Sequence, residues 1–300
     1  MILVVGATGL LGSEICRRLA ARGERIRALV RSMSDPARVG ALKALGVETV
    51  GGDLRERASL DVACRGAGAV ITTVSSMPFA YEAGVNDIAT TDLAGVTNLI
   101  DAAKAAGVPR FIYTSFSGNI DRDCPLRNAK RAVEAHLRES GLEYTILRPS
   151  VFMEVWLSPA VGFDAANARA TIYGTGANPI SWIAVADVAE FAVRSLDTPA
   201  ARNAILELGG PEPLTPIQAV SIFERVVGRS FEVQHVPEEA LRAQQEAATD
   251  PMARSFSALM RCYAAGDPIP MGTTRDAFPF PMTSVEQYAE KTLGKVTARV

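Results

Sequence analysis

Short apolar runs alternate with longer amphipathic stretches through the first two thirds of the chain. The runs are nearly continuous in apolar residues, which is typical of parallel strands buried on both faces. We predict strands at Ile2–Val5, Ile26–Val30, 47–50, 69–74, 111–114, 144–147 and 205–208. The helical spacing of Leu11, Ile15 and Leu19 predicts a helix that ends at Gly23, and further helices are predicted at 92–106, 129–140 and 188–196. This βαβ alternation predicts an α/β fold with a doubly wound parallel sheet.

The pattern changes after Pro149. Ala, Gly and Pro are frequent from 156 to 179, and several helices with little strand signal are predicted beyond Pro211. We predict a Rossmann-fold domain from 1–153 plus about 183–210, and a smaller, mostly helical substrate-binding lobe from about 154–182 plus 211–300. Asp187, which precedes an apolar stretch, is predicted to be a helix N-cap.

Composition excludes several classes of protein. Of the 300 residues, 48% are hydrophobic and 21% are charged, as in ordinary globular proteins. The net charge of -2 leaves no excess of basic residues for a nucleic-acid backbone. Nothing approaches the apolar run of about 18 residues that a membrane span requires. We therefore expect neither nucleic acid nor membrane as the partner.

Cysteine and histidine usage indicates the compartment. The chain has four cysteines, Cys16, Cys64, Cys124 and Cys262, and two histidines, His136 and His235. Because the cysteines are far apart and the histidines few, we expect neither a zinc site nor a disulfide framework. Both histidines are predicted to be surface or packing residues. Because the first predicted strand follows Met1 at once, no secretory leader is expected. These observations predict a cytoplasmic protein without a metal.

A glycine-rich turn joins the first predicted strand to the first predicted helix. Bare backbone amides at a helix N-terminus bind a pyrophosphate, whereas side chains at the approach points would block it. Gly6 is expected to permit the tight turn, Gly9 to admit the phosphates, and Gly12 to let the helix pack closely on the strand. Thr8 would add a hydroxyl at the cap. The spacing is G-x-x-G-x-x-G rather than G-x-G-x-x-G. The alternative is a tight βα connection without a ligand, but the context predicts dinucleotide contacts from Gly6, Thr8, Gly9, Leu10, Leu11 and Gly12.

The end of the second predicted strand selects the cofactor. NAD-binding folds place an Asp or Glu about 20 residues beyond the glycine turn. Here Arg31 and Ser32 occupy that place, with no acid before Asp35. Arg31 offers a fork of donors to a 2′-phosphate, so NADP(H) is predicted, a solvated arginine being the alternative. After the third strand, Asp53 can accept the adenine amino group and Leu54 can cover the ring.

These residues resemble the NmrA-like group of atypical short-chain dehydrogenase/reductases over nearly the whole chain. Besides the glycine turn, the resemblance rests on Leu29-Val30-Arg31, Gly52-Asp53-Leu54, Arg110-Phe111-Ile112-Tyr113-Thr114-Ser115, Lys130 with Glu134, Tyr144-Thr145-Ile146-Leu147-Arg148-Pro149 and Ile183-Ala184-Val185-Ala186-Asp187-Val188-Ala189. It implies a sheet ordered 3-2-1-4-5-6-7, bound NADP(H), and a small variable lobe over the nicotinamide. Further cofactor contacts are expected from Thr73, Val74, Pro149 and Phe152.

The usual catalytic tyrosine is absent. Typical members of the wider superfamily use Tyr-x-x-x-Lys, but Leu126 stands four residues before Lys130, and no tyrosine of the chain has a lysine four residues later. The resemblance implies that Lys130 lies beneath the nicotinamide ribose, as a ribose anchor or as a proton donor. We favour the anchor over the donor and over a solvated helix lysine. Ser115 matches the serine of the standard triad, although it could instead cap a helix or line the cleft.

Losing the tyrosine limits the chemistry. Reduction of an isolated ketone develops negative charge that a nearby acid should neutralise. A quinone, conjugated enone, imine or delocalised cation either spreads the incoming charge or loses charge when it accepts hydride, and so depends less on such an acid. A flat acceptor would suit the apolar and aromatic residues expected along the cleft. The alternative is that most of these residues are interlobe core, and for Trp182 that alternative is favoured. The residues are Met77, Pro78, Phe79, Tyr81, Phe152, Met153, Trp156 and Trp182.

Two functions from different classes remain. The first is an NADPH-dependent reductase of a conjugated or aromatic acceptor. The second is a non-catalytic NADP(H) sensor that binds a protein partner, a role found among NmrA-like proteins. The absent tyrosine favours the sensor, whereas the retained Lys130 and the aromatic lobe favour the reductase. We favour the reductase and leave a homodimer or a protein partner open.

Overall fold

The computed structural model describes residues 1–78 and 80–297, and the chain divides into two compact units. The first unit contains Met1–Phe116, Pro125–Arg148 and Val188–Leu206, and the second contains Ser117–Cys124, Pro149–Asp187 and the chain from Glu207 onward. Four segments that the sequence analysis assigned to the Rossmann domain thus belong to the second unit: 117–124, 149–153, 183–187 and 207–210. The functional division into a cofactor domain and a substrate lobe remains a prediction.

The main sheet has seven strands, and the pairs that join β3 through β6 are parallel. In chain order the strands of the structure are β1 (Ile2–Val5), β2 (Ile26–Val30), β3 (Glu48–Gly51), β4 (Ala69–Thr72), β5 (Arg110–Thr114), β6 (Glu143–Pro149), β7 (Phe163–Asp164), β8 (Arg169–Tyr173), β9 (Ala204–Leu208) and β10 (Glu232–Val236). The large sheet is ordered β3-β2-β1-β4-β5-β6-β9. The predicted doubly wound sheet and its 3-2-1-4-5-6-7 order are confirmed. The strand numbered 7 in that order is β9 of the structure, because β7 and β8 belong to another sheet.

Helices separate these strands. They are α1 (Leu10–Ala21), α2 (Pro36–Ala44), α3 (Arg57–Cys64), α4 (Val96–Ala105), α5 (Pro125–Glu139), α6 (Met153–Trp156), α7 (Val185–Arg194), α8 (Pro216–Val227), α9 (Glu238–Ala247), α10 (Pro251–Ala265), α11 (Gly272–Ala277) and α12 (Val285–Thr297). The predicted end of the first helix is confirmed, since Arg22 is the C-cap of α1 and Gly23 has a φ of +73°.

The helix predicted at 92–106 begins earlier than its apolar pattern suggests. A π-helix, Ile88–Gly95, leads directly into α4. Its start is a capping box in which Asp87 accepts the Thr90 N–H at 2.8 Å and Thr90 Oγ1 accepts the Asp87 N–H at 3.2 Å. The extra turn places Asp92, which is fully buried, inside the first unit.

The core of the first unit explains its apolar strands. β1 is buried along its whole length, and Leu3, Val70 and Phe111 pack with helix residues such as Leu60 and Val96. Because helices cover the sheet on both faces, the strand residues are apolar without alternation.

The second unit has a sheet that the sequence analysis missed. β7, β8 and β10 form it in the order β10-β8-β7, so the prediction of little strand beyond Pro211 was wrong at β10. β10 is largely exposed and β7 has two residues, so neither shows the buried apolar run that identified the other strands. The remainder of that stretch is mainly helical, as predicted.

Aromatic residues form the core of the second unit. Trp182 is fully buried and donates its Nε1–H to the Leu214 carbonyl at 2.8 Å, which confirms its assignment to the core. Trp156 stacks on Tyr263 with 4.9 Å between ring centroids, and Met153 is also fully buried. Met153 and Trp156 therefore pack within this unit, whereas the sequence analysis expected them along a cleft.

The prediction of Asp187 as an N-cap was also wrong. α7 begins at Val185, so Asp187 lies inside its first turn and accepts hydrogen bonds from the N–H and hydroxyl of Thr283 at 2.8 and 3.1 Å. The N–H of Val185 instead donates to the Glu154 carboxylate at 3.0 Å. Burial raises the pKa of Glu154.

The four cysteines are free thiols and all are buried. Burial raises the pKa of Cys16 to about 12 and that of Cys64 to about 11, and it raises the pKa of Cys262 as well. Among the described residues, no cluster of three or more metal-ligating side chains occurs, and no helix has the length and hydropathy needed to cross a membrane.

The two histidines have the roles predicted for them. His136 is partly exposed and its Nε2 lies 2.7 Å from Asp101. His235 is exposed on β10, and its Nδ1 lies 3.0 Å from the Gly174 carbonyl.

Candidate cofactor site

The glycine turn after β1 is closely packed on itself. Gly6 has a φ of +87°, and a Cβ there would lie 2.7 Å from Thr73 Oγ1. A Cβ on Gly12 would lie only 2.1 Å from the Gly6 carbonyl oxygen, so α1 packs directly against the turn. The Gly9 N–H donates to that same carbonyl at 3.0 Å. Gly6 and Gly12 are thus required by the geometry of the turn.

The N-terminus of α1 is open to an anion. Gly9 is the N-cap, and no side chain among the described residues caps the helix. The contact expected from the Thr8 hydroxyl to the dinucleotide stays a prediction. The first turn holds no acidic residue. The first N–H groups of an α-helix have no intrahelical acceptor and carry partial positive charge. Leu10, Leu11 and Gly12 are the first three residues of α1, so their backbone N–H groups are among these. The turn therefore fits a phosphate group.

Two arginines lie on the same side of the first unit as the glycine turn. The pairing of Val5 with Leu29 places Arg31 beside the turn, and both Arg31 and Ser32 are exposed. Arg38, which the sequence analysis missed, donates to the Thr8 carbonyl at 3.2 Å. No local spacing marks Arg38, which lies on α2 two residues after the proline that opens this helix. Asp35 accepts the Ala37 N–H at 2.8 Å as the N-cap of α2.

The structure places the proposed adenine contacts after β3. Asp53 accepts hydrogen bonds from Arg55 Nε and Nη2 at 2.9 and 2.8 Å. The side-chain hydrogen bond from Arg55 lowers the pKa of Asp53, with a smaller contribution from Arg31. Leu54 is buried in the core of the first unit and is packed closely against Gly95. Asp53 thus remains at the surface beside Arg31, whereas most of Leu54 is committed to packing.

Lys130 is a buried residue of α5. It is 3% exposed, which excludes the solvated helix lysine. Its Nζ donates to the Val74 carbonyl at 3.1 Å and lies 3.4 Å from Asp92 Oδ1. The ammonium also lies over the Tyr113 ring, 5.4 Å from its centroid. Lys130 therefore joins α5 to the segment after β4 that contains Thr73 and Val74.

Ser115, just beyond β5, is bound to Glu134. Its hydroxyl donates to Glu134 Oε1 at 2.5 Å, and the same carboxylate receives Arg131 at 2.7 Å and Arg148. Burial raises the pKa of Glu134, but the hydrogen bonds from Arg148 and Ser115 and the charge of Arg131 outweigh it, and the pKa is lowered. The Ser115 proton is thus engaged within the first unit.

Two other expected cofactor contacts, Pro149 and Phe152, lie in the second unit, whereas the expected acceptor wall after β4 belongs to the first. Pro149 is buried at the end of β6, and its carbonyl accepts the Ser117 N–H at 2.8 Å. Phe152 is partly buried and is the N-cap residue of α6. Of the expected acceptor wall after β4, Met77 is buried, Pro78 is exposed and Tyr81 is partly buried. Phe79 lies outside the described residues.

A cavity of about 630 Å³ lies in the second unit, and its lining is polar. The lining residues are Asp121, Arg122, Asp123, Gln245, Glu246, Ala248, Arg254 and Arg261. None of them is among the residues predicted to contact a cofactor or an acceptor. The candidate site is therefore defined by the glycine turn, the neighbouring arginines and Lys130.

The sheet order, the glycine turn and the uncapped helix behind it define a Rossmann-like α/β protein. The chain belongs to the NmrA-like family, whose family model matches residues 1–289. The resemblance inferred from the sequence motifs is thus confirmed.

Known proteins similar to the chain include enzymes and an assembly factor. It is 31% identical to an NAD(P)H azoreductase of Xenophilus azovorans over 291 residues, and this match covers 93% of this chain and 95% of the azoreductase. It is 33% identical over 237 residues to photosystem II assembly factor Ycf39 of Cyanophora paradoxa, covering 79% of this chain and 71% of the relative. The same fold occurs in the solved structure of NADPH-dependent quinone oxidoreductase QOR2 from Escherichia coli, complexed with NADPH. The TM-score is 0.78 and the sequence identity 24%, and the match covers 98% of this chain and 100% of the QOR2 chain.

Proposed function

We propose that the protein is an NADPH-dependent reductase that transfers hydride to a conjugated or aromatic small molecule such as a quinone, enone, imine or dye. The observation that carries this proposal is the combination, in one unit, of an uncapped phosphate-binding turn and a buried lysine. The N-terminus of α1 has no side-chain cap, and Lys130 is withdrawn from water beside the segment after β4. Both features lie at the carboxyl ends of neighbouring parallel strands, where ligands of open α/β sheets bind.

Each part of the site has a distinct role in the proposed complex. The backbone N–H groups of Leu10, Leu11 and Gly12 would bind the pyrophosphate. Arg31 and Arg38 would bind the 2′-phosphate, because a guanidinium matches phosphate oxygens in geometry and charge. Lys130 would bind the nicotinamide ribose. When bound, the reduced nicotinamide supplies the hydride.

The chain's own residues determine which acceptors it can serve. Leu126 replaces the usual tyrosine, and the Ser115 proton is engaged by Glu134. Neither residue can supply the acid that an isolated ketone needs. An acceptor that delocalises the incoming charge needs no such donor, so orientation of the acceptor ring supplies most of the acceleration. The name of the azoreductase relative, whose substrate class is conjugated, supports this choice.

The test is loss of NADPH absorbance when the wild-type protein is incubated with a panel of quinones, enones, imines, azo dyes and triarylmethane dyes. We expect turnover of one or more of these classes and none of simple ketones. Turnover of ketones alone would contradict the proposed acceptor class.

The competing function is an NADP(H) sensor that binds a protein partner. It is favoured by one observation, the 33% identity to a protein named as an assembly factor. The same panel distinguishes the two functions. Binding of NADPH without turnover of any acceptor would favour the sensor.

Replacing Arg31 with alanine should reduce the preference for NADPH. A charge-assisted phosphate contact contributes about 1.5–3 kcal/mol, so we expect NADPH affinity to fall roughly 10- to 100-fold. NADH, which has no 2′-phosphate, should bind the variant nearly as it binds the wild type. Titration calorimetry with both cofactors measures the difference. Equal weakening of NADPH and NADH would mean that Arg31 contacts another part of the cofactor.

Replacing Lys130 with methionine separates the two roles proposed for this residue. An anchor predicts a higher KM for NADPH and a lower kcat with every acceptor, because the hydride donor is misplaced. A proton donor predicts an unchanged KM for NADPH and a kcat that is about 10²–10⁴-fold lower with quinones, while a cationic dye is spared. We expect the first pattern. Steady-state kinetics with one quinone and one cationic dye distinguish them.

A further inference from the structure

Asp92 is a buried carboxylate that the sequence motifs do not single out. It is fully buried in the middle of the π-helix Ile88–Gly95, and its two oxygens face separate groups. Oδ2 accepts the N–H and the hydroxyl of Ser76 at 3.0 and 2.6 Å. Oδ1 accepts no hydrogen bond within normal limits and instead lies 3.4 Å from Lys130 Nζ. The Lys130–Asp92 contact is therefore an ion pair between two nearly inaccessible charges.

The ion pair leaves part of Lys130 available. An ammonium group has three N–H donors. One is donated to the Val74 carbonyl. The Asp92 carboxylate lies 3.4 Å away as an ion-pair partner without accepting a hydrogen bond, and the Tyr113 ring lies on another side of the ammonium. No other residue of the described chain accepts a hydrogen bond from Nζ, and the 3% exposure of Lys130 leaves little water to do so. A buried donor that is not fully paired calls for a specific explanation, and a bound ligand is one.

We propose that Asp92 is a positioning residue of the NADPH site: its charge holds the Lys130 ammonium so that an N–H without a protein acceptor is directed to a hydroxyl of the nicotinamide ribose. This inference rests on the proposed function. Asp92 fixes both sides of the arrangement, because it binds Lys130 on α5 through one oxygen and the Ser76 segment after β4 through the other. The carboxylate also compensates a positive charge that would otherwise be buried alone. Asp92 itself does not contact the cofactor.

The substitution Asp92→Asn isolates this role. An asparagine oxygen can still accept both hydrogen bonds from Ser76, whereas its NH₂ group would face the ammonium and repel it. We expect NADPH to bind at least about 10-fold more weakly. Adenosine 2′,5′-bisphosphate, which carries the adenine end of NADPH without the nicotinamide ribose, should bind within about twofold of wild type. Calorimetric titration of each ligand measures both affinities.

Two further variants exclude a general structural effect. Ser76→Ala removes one donor to Asp92 but keeps both charges, and NADPH affinity should change by less than about threefold. Lys130→Met should weaken NADPH as Asp92→Asn does, and adding Asp92→Asn to Lys130→Met should produce no further loss. If Asp92→Asn alone does not fold, the NADPH affinities of Lys130→Met and of the double variant still test whether Asp92 acts through Lys130.

Several results would overturn the proposal. They are unchanged NADPH affinity in Asp92→Asn, equal loss of both ligands, additive losses in the double variant, or a loss in Ser76→Ala as large as that in Asp92→Asn. Wild-type protein that binds no NADPH would refute the proposed function itself. Wild-type protein that binds NADPH, with an Asp92→Asn variant that binds it equally well, would refute the role of Asp92 alone.

Discussion

Replacing Gly9 with valine should abolish NADPH binding while the apo protein remains folded. Gly9 has a φ of -78°, which any residue can adopt, and a Cβ there would meet only the Gly6 carbonyl oxygen, at 3.1 Å. The contact with the Gly6 carbonyl is tight, so the turn must shift slightly to accept the side chain. The branched side chain would fill the space into which the first N–H groups of α1 point. We expect affinity for NADPH and NADH to fall by more than about 100-fold, or about 2.7 kcal/mol.

Gly12→Ala is the matched control for that experiment. Its Cβ would lie 2.1 Å from the Gly6 carbonyl oxygen, so this variant should lose stability as well as binding, by about 1–3 kcal/mol or more from overpacking. Circular dichroism and urea denaturation report the fold, and titration calorimetry reports the binding. A folded Gly9→Val variant with wild-type affinity would show that the turn does not hold the cofactor.

Replacing Glu134 with alanine should destabilise the protein by about 3 kcal/mol. The carboxylate is nearly inaccessible and accepts hydrogen bonds from Ser115, Arg131 and Arg148, so its removal takes from two guanidinium groups the negative charge that they share. Removing one partner of a buried ion pair costs about 3–5 kcal/mol. We expect the lower end because the Arg131 and Arg148 side chains are 17% and 20% exposed and can be partly hydrated.

The pH dependence of this effect follows from the lowered pKa of Glu134. Its ordinary value is 4.5, and in the folded protein the pKa is lower, so the ionised carboxylate stabilises the fold fully above about pH 4.5. This contribution is lost as the pH falls through the folded pKa. The difference in urea midpoint between wild type and Glu134→Ala should therefore narrow below pH 4.5.

Glu139→Ala, an exposed position on the same helix, is the control for Glu134 and should change stability by no more than about 0.5 kcal/mol. A Glu134→Ala variant as stable as Glu139→Ala would show that the arginine cluster contributes nothing to the fold.

The large sheet could be predicted from the sequence because its strands are buried on both faces. β1 and β2 have the predicted bounds, and the other predicted strands differ by one or two residues at one end or at both. The small sheet could not be predicted, because β10 is largely exposed and its pairing with β8 depends on residues far away in the chain. A short polar strand stabilised by a distant partner leaves no local apolar pattern.

The candidate site shows the same limit. The glycine turn and Arg31 could be predicted because each is read from a local spacing after a strand. Arg38, Asp92 and the engagement of Ser115 by Glu134 could not, because each depends on which elements meet in space. The pattern around Asp187 indicated an N-cap, but the hydrogen bonds to Thr283, almost a hundred residues later, hold that carboxylate elsewhere.

The burial of all four cysteines bears on the acceptors proposed for this protein. Quinones and enones are electrophiles that alkylate thiolates by conjugate addition, and the thiolate is the reactive form of cysteine. With the pKa of Cys16 at about 12 and that of Cys64 at about 11, almost none of either thiol is ionised at neutral pH, and neither is accessible. An acceptor of the proposed class would therefore meet no exposed thiol of this chain, so alkylation of cysteine would not limit repeated turnover.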